Sequence, residues 1–253
     1  MRINIHLILP FGIFIILILL EKVSPLKQVR GDKKLQRKLK NLSLFPISLI
    51  LLKALLPYTL VSIAKTSSGP FKQVDFLGAL VLQVALYDLL IYWQHRISHS
   101  LRIFWRVHRT HHLDNEIDTT TGVRFHPFEI FLSYLYKMFF IYTLGMDPWA
   151  VLAGESVLII SSFWIHANFN LPEVLNKYLS YIIMTPQSHT IHHSVIGTEM
   201  NRNFGTFLSI WDRVFGTYTC ISTQRAKSIE FGLLGKKDVE FQEILLDPFK
   251  NYK

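Results

Sequence analysis

The chain has 253 residues, half of them hydrophobic and only 18% charged, and its mean hydropathy is +0.27. Soluble domains carry roughly 25% charged residues, so the composition argues against a soluble protein. The net charge of +9 comes from basic residues that flank apolar runs instead of forming one basic face, which argues against nucleic-acid binding. With Cys220 as its one cysteine, the chain can form no internal disulfide and no cysteine-ligated metal cluster, and we expect Cys220 to be an ordinary buried residue.

Five apolar stretches predict membrane helices: residues 3–20, 44–64, 76–93, 128–146 and 149–165. A helix of about 20 apolar residues spans the hydrocarbon of a bilayer. No small-residue cleavage site follows the first stretch, which favours an uncleaved helix over a signal peptide. The last two stretches form either a full or a shallow hairpin. The predicted fold class is therefore all-α, an integral membrane helical bundle of about four to five apolar helices.

A strongly basic segment, residues 22–40, follows the first apolar stretch. Basic loops are retained in the cytoplasm, and this orientation also puts residues 95–127 and the chain after His166 on the cytoplasmic side. The basic segment could instead bind anionic lipid or an acidic redox partner. The docking residues in that hypothesis are Lys33, Lys34, Arg37 and Lys38.

Three regions are expected along the chain. Residues 1–75 hold the N-terminal membrane helices and the basic loop, residues 76–220 the catalytic domain, and residues 221–253 a C-terminal cytoplasmic tail. Most of that tail, from residue 229 onward, is predicted to be a soluble polar extension with one short amphipathic piece at residues 239–246.

Histidine gives the main functional signal, because ten of the eleven histidines lie between residues 95 and 193. Three clusters have the spacings H-x-x-x-H, H-x-x-H-H and H-x-x-H-H, and residues three or four apart share one face of a helix. The clustered residues are His95, His99, His108, His111, His112, His189, His192 and His193. Adjacent histidines diverge by about 100° on a helix, so one could bind one metal and its neighbour a second. His126, near a predicted helix start, and His166, at the end of the last apolar stretch, complete a set of candidate ligands that exceeds what one ion accepts.

Acidic residues are absent from the three clusters, so a carboxylate could support the ligands only from outside them. Asp88 shares a helical face with His95 and His99, and an acid in an apolar helix is costly unless it is paired. We expect Asp88 to accept a hydrogen bond from a metal-ligating imidazole, the alternative being a hydrogen bond between packed helices. Glu129 and Glu155 are weaker candidates for the same role.

The three boxes, in this order, resemble the fatty acid hydroxylase/sterol desaturase superfamily of membrane non-haem di-iron oxygenases. The flanking segments YDLLIYWQHR (87–96), RFHPFE (124–129), HAN (166–168), NFG (203–205) and WDRVFGT (211–217) strengthen the resemblance, which covers residues 76–217. It implies two iron ions held by the eight box histidines in a histidine-rich helical cap on the cytoplasmic face, with O2 as co-substrate. His126 and His166 match further histidines of that family.

The resemblance implies hydroxylation or desaturation of an unactivated C–H bond in a lipid of sterol or fatty-acyl type. The chain has no haem motif, no dinucleotide-binding glycine pattern and no cysteine cluster, so electrons must come from an external ferredoxin or cytochrome b5-type donor with its reductase. Two other classes are open on the residues alone. One is a non-catalytic metal-binding membrane protein or transporter, and the other is a membrane hydrolase with two zinc ions.

Overall fold

The computed structural model describes residues 5–28, 34–73, 77–236 and 239–250. Within these ranges the regular structure is helical, and the β-structure is limited to three isolated β-bridges. The prediction of an all-α fold is therefore confirmed. The α-helices are α1 (Ile5–Val23), α2 (Lys34–Leu55), α3 (Leu60–Thr66), α4 (Leu77–Ser100), α5 (Arg102–His112), α6 (Pro127–Leu144), α7 (Pro148–His166), α8 (Glu173–Leu179), α9 (Pro186–Thr190), α10 (Gly197–Met200), α11 (Ile210–Val214), α12 (Thr223–Ser228) and α13 (Phe241–Leu246).

Two stretches of the described chain are long and apolar enough to cross a membrane, Lys34–Thr66 and Pro148–His166. The five predicted spans are therefore not all matched, and the number of helices that cross stays a prediction. The apolar stretch predicted at 44–64 is broken between α2 and α3, beside Pro57, which cannot continue a helix. Helix α2 also starts ten residues before that stretch, so the end of the basic segment is itself helical.

The bundle core lies where α3, α4, α6 and α7 meet. Tyr87 and Ile91 of α4 pack there with Ile141 of α6 and Val151 of α7. Helix α6 ends at Leu144 and is capped by Gly145, whose φ of 65° favours glycine. Two residues later the Asp147 carboxylate caps α7 by accepting from the backbone amides of residues 149 and 150. This tight turn makes α6 and α7 a hairpin that carries the chain back to the histidines.

The short helices and loops beyond the bundle form a cap, which consists of residues 101–126, 167–236 and 239–250. It is attached to α4 by Asp88, whose carboxylate accepts from the Phe207 and Leu208 amides and from the Trp211 indole. It is attached to α7 by the Trp164 indole, which donates to the Met184 carbonyl at 2.9 Å. The cap is thus fastened to both helices that deliver histidines from the bundle.

Two expectations about the C-terminal part are wrong. Cys220 is exposed rather than buried, because it lies between short cap elements and not in a helix core. The tail is not a soluble polar extension: Ile229 and Phe231 pack with Ile117 and Ile191, and Ile244 is fully buried. The Asp247 carboxylate, 2% exposed, pairs with Arg109 of α5. Isolated apolar residues of a polar stretch are thus buried in the cap, and the Asp247 pair connects this stretch to the helix that carries the second histidine box.

Candidate metal centre

Nine histidines converge between the bundle and the cap and form two groups. Within each group, the candidate ligand atoms lie within 4.8 Å of one another. The first group contains His95, His99, His108, His112 and His192. The second group contains His111, His166, His189 and His193. Each group draws on elements far apart in sequence, so neither exists before the chain has folded.

The adjacent histidines divide between the groups. His112 points into the first group and His111 into the second, because neighbouring side chains on α5 diverge by about 100°. His192 and His193 divide in the same way. The third box is not one continuous α-helix: His189 lies in α9, while His192 and His193 follow in a 3-10 turn. The two groups therefore share the second and third boxes and lie side by side.

Most of these imidazoles are oriented by a hydrogen bond from Nδ1 to a backbone carbonyl. The pairs are His95 with Phe204 (2.7 Å), His111 with Arg124 (3.2 Å), His166 with Ser162 (2.6 Å), His189 with Asn203 (3.3 Å) and His192 with Arg202 (2.9 Å). A carbonyl oxygen only accepts, so Nδ1 must carry the proton in each pair. The lone pair of each ring is then on Nε2, the atom turned toward the other histidines.

Those Nε2 atoms have unmet bonding capacity. In the first group, the Nε2 atoms of His95, His99, His108 and His192 are buried without a hydrogen-bond partner, as are both ring nitrogens of His112. Buried polar atoms are rarely left unpaired in proteins. A cluster of such atoms that share one chemistry and face one point is a site for a bound cation.

The second group makes the same point through a close contact. The Nε2 atoms of His166 and His111 are 3.0 Å apart, and the Nε2 atoms of His166 and His193 are 3.1 Å apart. With the Nδ1 protons of His111 and His166 donated to carbonyls, their Nε2 lone pairs face each other. That arrangement is repulsive without a positive charge between the nitrogens. The residues present therefore fit a metal ion in each group.

The cap histidines are held in the form that binds metal. Five of them have pKa values well below 6.5, chiefly because they are buried and secondly because other imidazoles lie beside them. These five are His111, His112, His189, His192 and His193. A neutral imidazole offers a lone pair, whereas a protonated one offers none. The site is thus preorganised for cations at neutral pH.

Of the acids considered in the sequence, Glu129 contacts a histidine of the groups. Its Oε1 lies 2.5 Å from His108 Nδ1, and Glu129 is 7% exposed in the first turn of α6. Asp88 instead holds residues 207–211 as described above, which corresponds to the alternative of a helix-packing hydrogen bond. Glu155 accepts from the Tyr87 hydroxyl and the Lys137 ammonium within the bundle. Of the three acids predicted as candidates, all within the described residues, the one that orients a candidate ligand is therefore Glu129, a weaker candidate than Asp88 on the sequence.

His126 lies outside both groups. Its Nδ1 accepts from the Phe128 amide at 3.2 Å, which caps α6, and its Nε2 is 3.2 Å from the Leu245 carbonyl. With both ring nitrogens engaged at a helix start and at the tail, His126 fits neither ligand set. The residue before a proline at N1 is a natural helix cap, and this explains its position.

A buried polar network supports α5 from the N-terminal side. The Asp114 carboxylate accepts from Arg37 at 2.8 Å and from the Asn41 amide at 2.9 Å. Asn41 in turn accepts from Arg124, whose own carbonyl orients His111. Burial alone would raise the pKa of Asp114, but Arg37 and Arg124 outweigh it and lower that pKa. Helix α2 thus helps to position the second histidine box.

The basic segment is therefore less available to a partner than the sequence suggested. Arg37 pairs with Asp114 and Asp118, and Lys38 pairs with Asp118 at 3.3 Å. Lys34 is exposed, and Lys33 lies outside the described residues. Two of the four predicted docking residues serve the fold.

Sequence reasoning did not identify the loop that backs the first group. The Phe204 carbonyl orients His95, and the Asp212 carboxylate accepts from the Phe204 and Gly205 amides at 2.8 and 2.7 Å. Asn203 has a φ of 54° and donates its side-chain amide to the Ser188 and Thr219 carbonyls. The NFG and WDRVFGT segments were visible in the sequence, but nothing in them indicated which histidine they would contact.

Aromatic rings flank the first group. Trp105 lies 5.0 Å from His99 and 5.4 Å from His112, and Phe204 lies 5.1 Å from His99, measured between ring centroids. His95 and His99 are partly exposed, whereas all four histidines of the second group are buried. The first group is therefore the more accessible of the two.

Comparison with known proteins agrees with the family resemblance of the histidine boxes. A sequence model of the fatty acid hydroxylase family matches residues 80–217, more than half of the chain. Human alkylglycerol monooxygenase is 30% identical over 133 residues, which cover 52% of this chain and 28% of the human protein. The ornithine lipid hydroxylase OlsE of Rhizobium tropici is 28% identical over 170 residues, covering 67% of this chain and 50% of that protein. A very-long-chain aldehyde decarbonylase of Oryza sativa subsp. japonica is 30% identical over 152 residues, covering 55% of this chain and 23% of the plant protein.

The matched part of the chain spans half or less of the length of each of these relatives. No solved structure matches the chain. The family match includes both histidine groups, because His95 and His193 fall within residues 80–217.

Proposed function

Because the chain belongs to the fatty acid hydroxylase family, we propose that it is a membrane-bound, O2-dependent oxidoreductase that hydroxylates an unactivated C–H bond of a lipid. Two of the relatives are a monooxygenase and a hydroxylase whose names specify an alkylglycerol and an ornithine lipid. This favours hydroxylation over the desaturation that the wider superfamily also allows. A lipid that joins a polar head to a long alkyl chain is the substrate class we infer.

The observation that carries the proposal is the convergence of Nε2 lone pairs into two adjacent groups. We propose one iron ion for each group, with the nine converging histidines as ligands and without His126. Two irons would supply activation of O2 and the removal of hydrogen from a C–H bond that acid–base chemistry cannot reach. Imidazole is a ligand that iron accepts, and a set of neutral ligands leaves the charge of each ion uncancelled.

The protein's own contribution is orientation. Carbonyl oxygens fix five of the rings through Nδ1, and Glu129 fixes His108, which aligns the lone pairs before a metal arrives. We propose that O2 and the lipid reach the first group, on the side where His95 and His99 are partly exposed. The buried second group would then be shielded from solvent.

The electrons in this proposal come from outside the chain. Cys220 is exposed and single, so it supports no cluster, and we propose a ferredoxin or cytochrome b5-type donor with its reductase. The multi-pass arrangement and a cytoplasmic active-site face remain part of the same proposal, supported by the basic segment at the start of α2 and by the positive-inside rule.

The direct test combines metal analysis with lipid product analysis of the purified full chain. Iron in the protein, with O2 uptake that depends on lipid and reductant, is the expected result, and the product should gain one oxygen atom. Loss of two hydrogen atoms from the product would mean desaturation. Zinc with no O2 uptake would indicate a non-catalytic metal-binding membrane protein, and zinc with lipid hydrolysis would indicate a hydrolase; either would refute the proposal.

A further inference from the structure

An exposed apolar surface lies on the cap, away from the histidine groups. We call it the cap patch; it consists of Val174, Tyr178, Tyr181, Ile182, Ile210 and Val214. Four of these side chains are between 64% and 69% exposed. Contiguous exposed apolar surface on a folded domain marks an interaction site rather than chance.

The two halves of the cap patch form one rigid surface. The Ser209 amide donates to the Ile182 carbonyl at 3.1 Å, and Ile183 and Leu208 form an isolated β-bridge. The Ser180 carbonyl accepts from the Ser209 hydroxyl at 2.7 Å and from Arg213 at 2.8 Å. The loop after α8 is therefore fixed to the segment that leads into α11, so the exposed side chains of these two segments lie on neighbouring, connected parts of the cap.

The hydrogen bonds that hold the cap patch to α4 show where it lies along the axis of that helix. Asp88 holds the amides of Phe207 and Leu208 and the indole of Trp211. Asp88 is seven residues before His95 on α4, which is about 10 Å along the helix axis at 1.5 Å per residue. Residues 207–211 thus reach back along α4 past the first histidine group, toward the apolar bundle.

Helix α7 gives an independent measure of that level. Its candidate membrane-spanning stretch ends at His166, and Trp164, two residues earlier, donates to the Met184 carbonyl. The Met184 amide donates to the Phe207 carbonyl at 2.8 Å. The paired segments that carry the cap patch are consequently fastened where α7 would leave the hydrocarbon.

The composition of the cap patch and its border suits a bilayer surface. Tyr178 and Tyr181 are residues that concentrate where hydrocarbon meets headgroups. Lys177 is exposed on α8, and the Arg213 guanidinium lies 3.7 Å from the Tyr218 ring centroid and 5.1 Å from the Tyr181 ring centroid. Positive charges beside an apolar face attract anionic lipid.

We propose that the cap patch is an interfacial membrane-binding surface, seated in the headgroup region of the same bilayer that the bundle occupies. The occupant is the bilayer itself. This inference rests on the membrane setting of the chain and is independent of the proposed oxidation chemistry.

Site-directed spin labelling of the full chain tests the proposal. In a Cys220→Ser background, a nitroxide is attached at Ile182→Cys or Val214→Cys, and the protein is placed in nanodiscs of phosphatidylcholine and phosphatidylglycerol. Leu234→Cys is the matched control, because Leu234 is also apolar and is 88% exposed but lies outside the cap patch. It follows a different segment of the cap, residues 231–232, which is bonded to Ser194 and His193.

The measurement compares collisions of the nitroxide with O2, which dissolves in lipid, and with a water-soluble nickel chelate. At 182 and 214 we expect an O2-to-nickel collision ratio severalfold above that at 234. Equal ratios at all three sites would overturn the proposal. Protection of the labels at 182 and 214 from the nickel chelate, accompanied by spin–spin broadening, would also overturn it, because it would mean that a second copy of the chain covers the cap patch. Val174→Cys provides another site on α8 should either label disturb folding, and neither readout requires bound iron or activity.

Discussion

Glu129 offers the sharpest test of how the histidines are held. Its carboxylate is buried in the first turn of α6 and lies 2.5 Å from His108 Nδ1. Glu129→Ala removes the acceptor and leaves the His108 Nδ1–H buried without a partner. Glu129→Gln keeps an oxygen that can accept while removing the negative charge.

Two effects set the size of the expected loss of metal affinity. Loss of the partner of a metal-ligating histidine lowers metal affinity about 10–100-fold, equivalent to about 1.4–2.7 kcal/mol. An unsatisfied buried donor costs about 1–3 kcal/mol, the same range. We therefore expect Glu129→Ala near a 100-fold loss at the first group and Glu129→Gln near tenfold, with the second group, which does not contain His108, much less affected.

Cobalt titration of the metal-free protein in detergent, in competition with a chelator, would measure both affinities through the visible absorption of the bound ion. Glu173→Gln is the matched control, because Glu173 is also an acid in a first helical turn but is exposed on α8. The control should keep both affinities. Two wild-type affinities in Glu129→Ala would refute a role for this carboxylate in orienting the ligands.

Three further outcomes follow from the contacts described above. His111→Ala should lose bound metal and turnover, whereas His126→Ala should retain both metal equivalents and lose only about 1 kcal/mol of stability from the α6 cap; metal loss in His126→Ala, measured by elemental analysis, would return His126 to the ligand set. Arg37→Gln should destabilise the fold by about 3–5 kcal/mol, because it removes the cation paired with buried Asp114 and leaves Asp118 with Lys38 alone. Lys34→Gln should leave the melting temperature unchanged, and equal, small shifts in the melting temperature of both variants would show that Arg37 has no structural task. Asp88→Ala should lower the melting temperature of the metal-free protein, since it leaves two amides and an indole without an acceptor; an effect on metal binding alone would restore Asp88 as a partner of a ligand.

The helical character and the family could be read from local pattern. Apolar stretches of about 20 residues predict helices, and the spacing of histidines at three and four residues puts their rings on common faces. His166 was a candidate because it ends the last apolar stretch, and it does lie in the second group. These features depend on neighbours within one or two helical turns, which sequence periodicity reports directly.

Longer-range contacts were misjudged for a common reason. Asp88 shares a helical face with His95, yet its partners come from residues 207–211, more than a hundred positions later. His126 has the residue type of a ligand, but its rotation at the start of α6 turns it toward the tail. The tail was expected to be a soluble polar extension because its composition is polar, although a few buried residues such as Ile244 are enough to pack it into the cap.

The sequence by itself determined the chemistry available: histidines in helical spacing, one cysteine and long apolar stretches. Only the tertiary structure decided how the rings divide, with His111 and His112 in different groups, and which oxygen orients each ring. The physical reason is that a metal site needs several lone pairs within a few ångströms of one point. Spacing along one helix can align two or three of them, but bringing α4, α5, α7 and the third box together requires the packing of the whole cap.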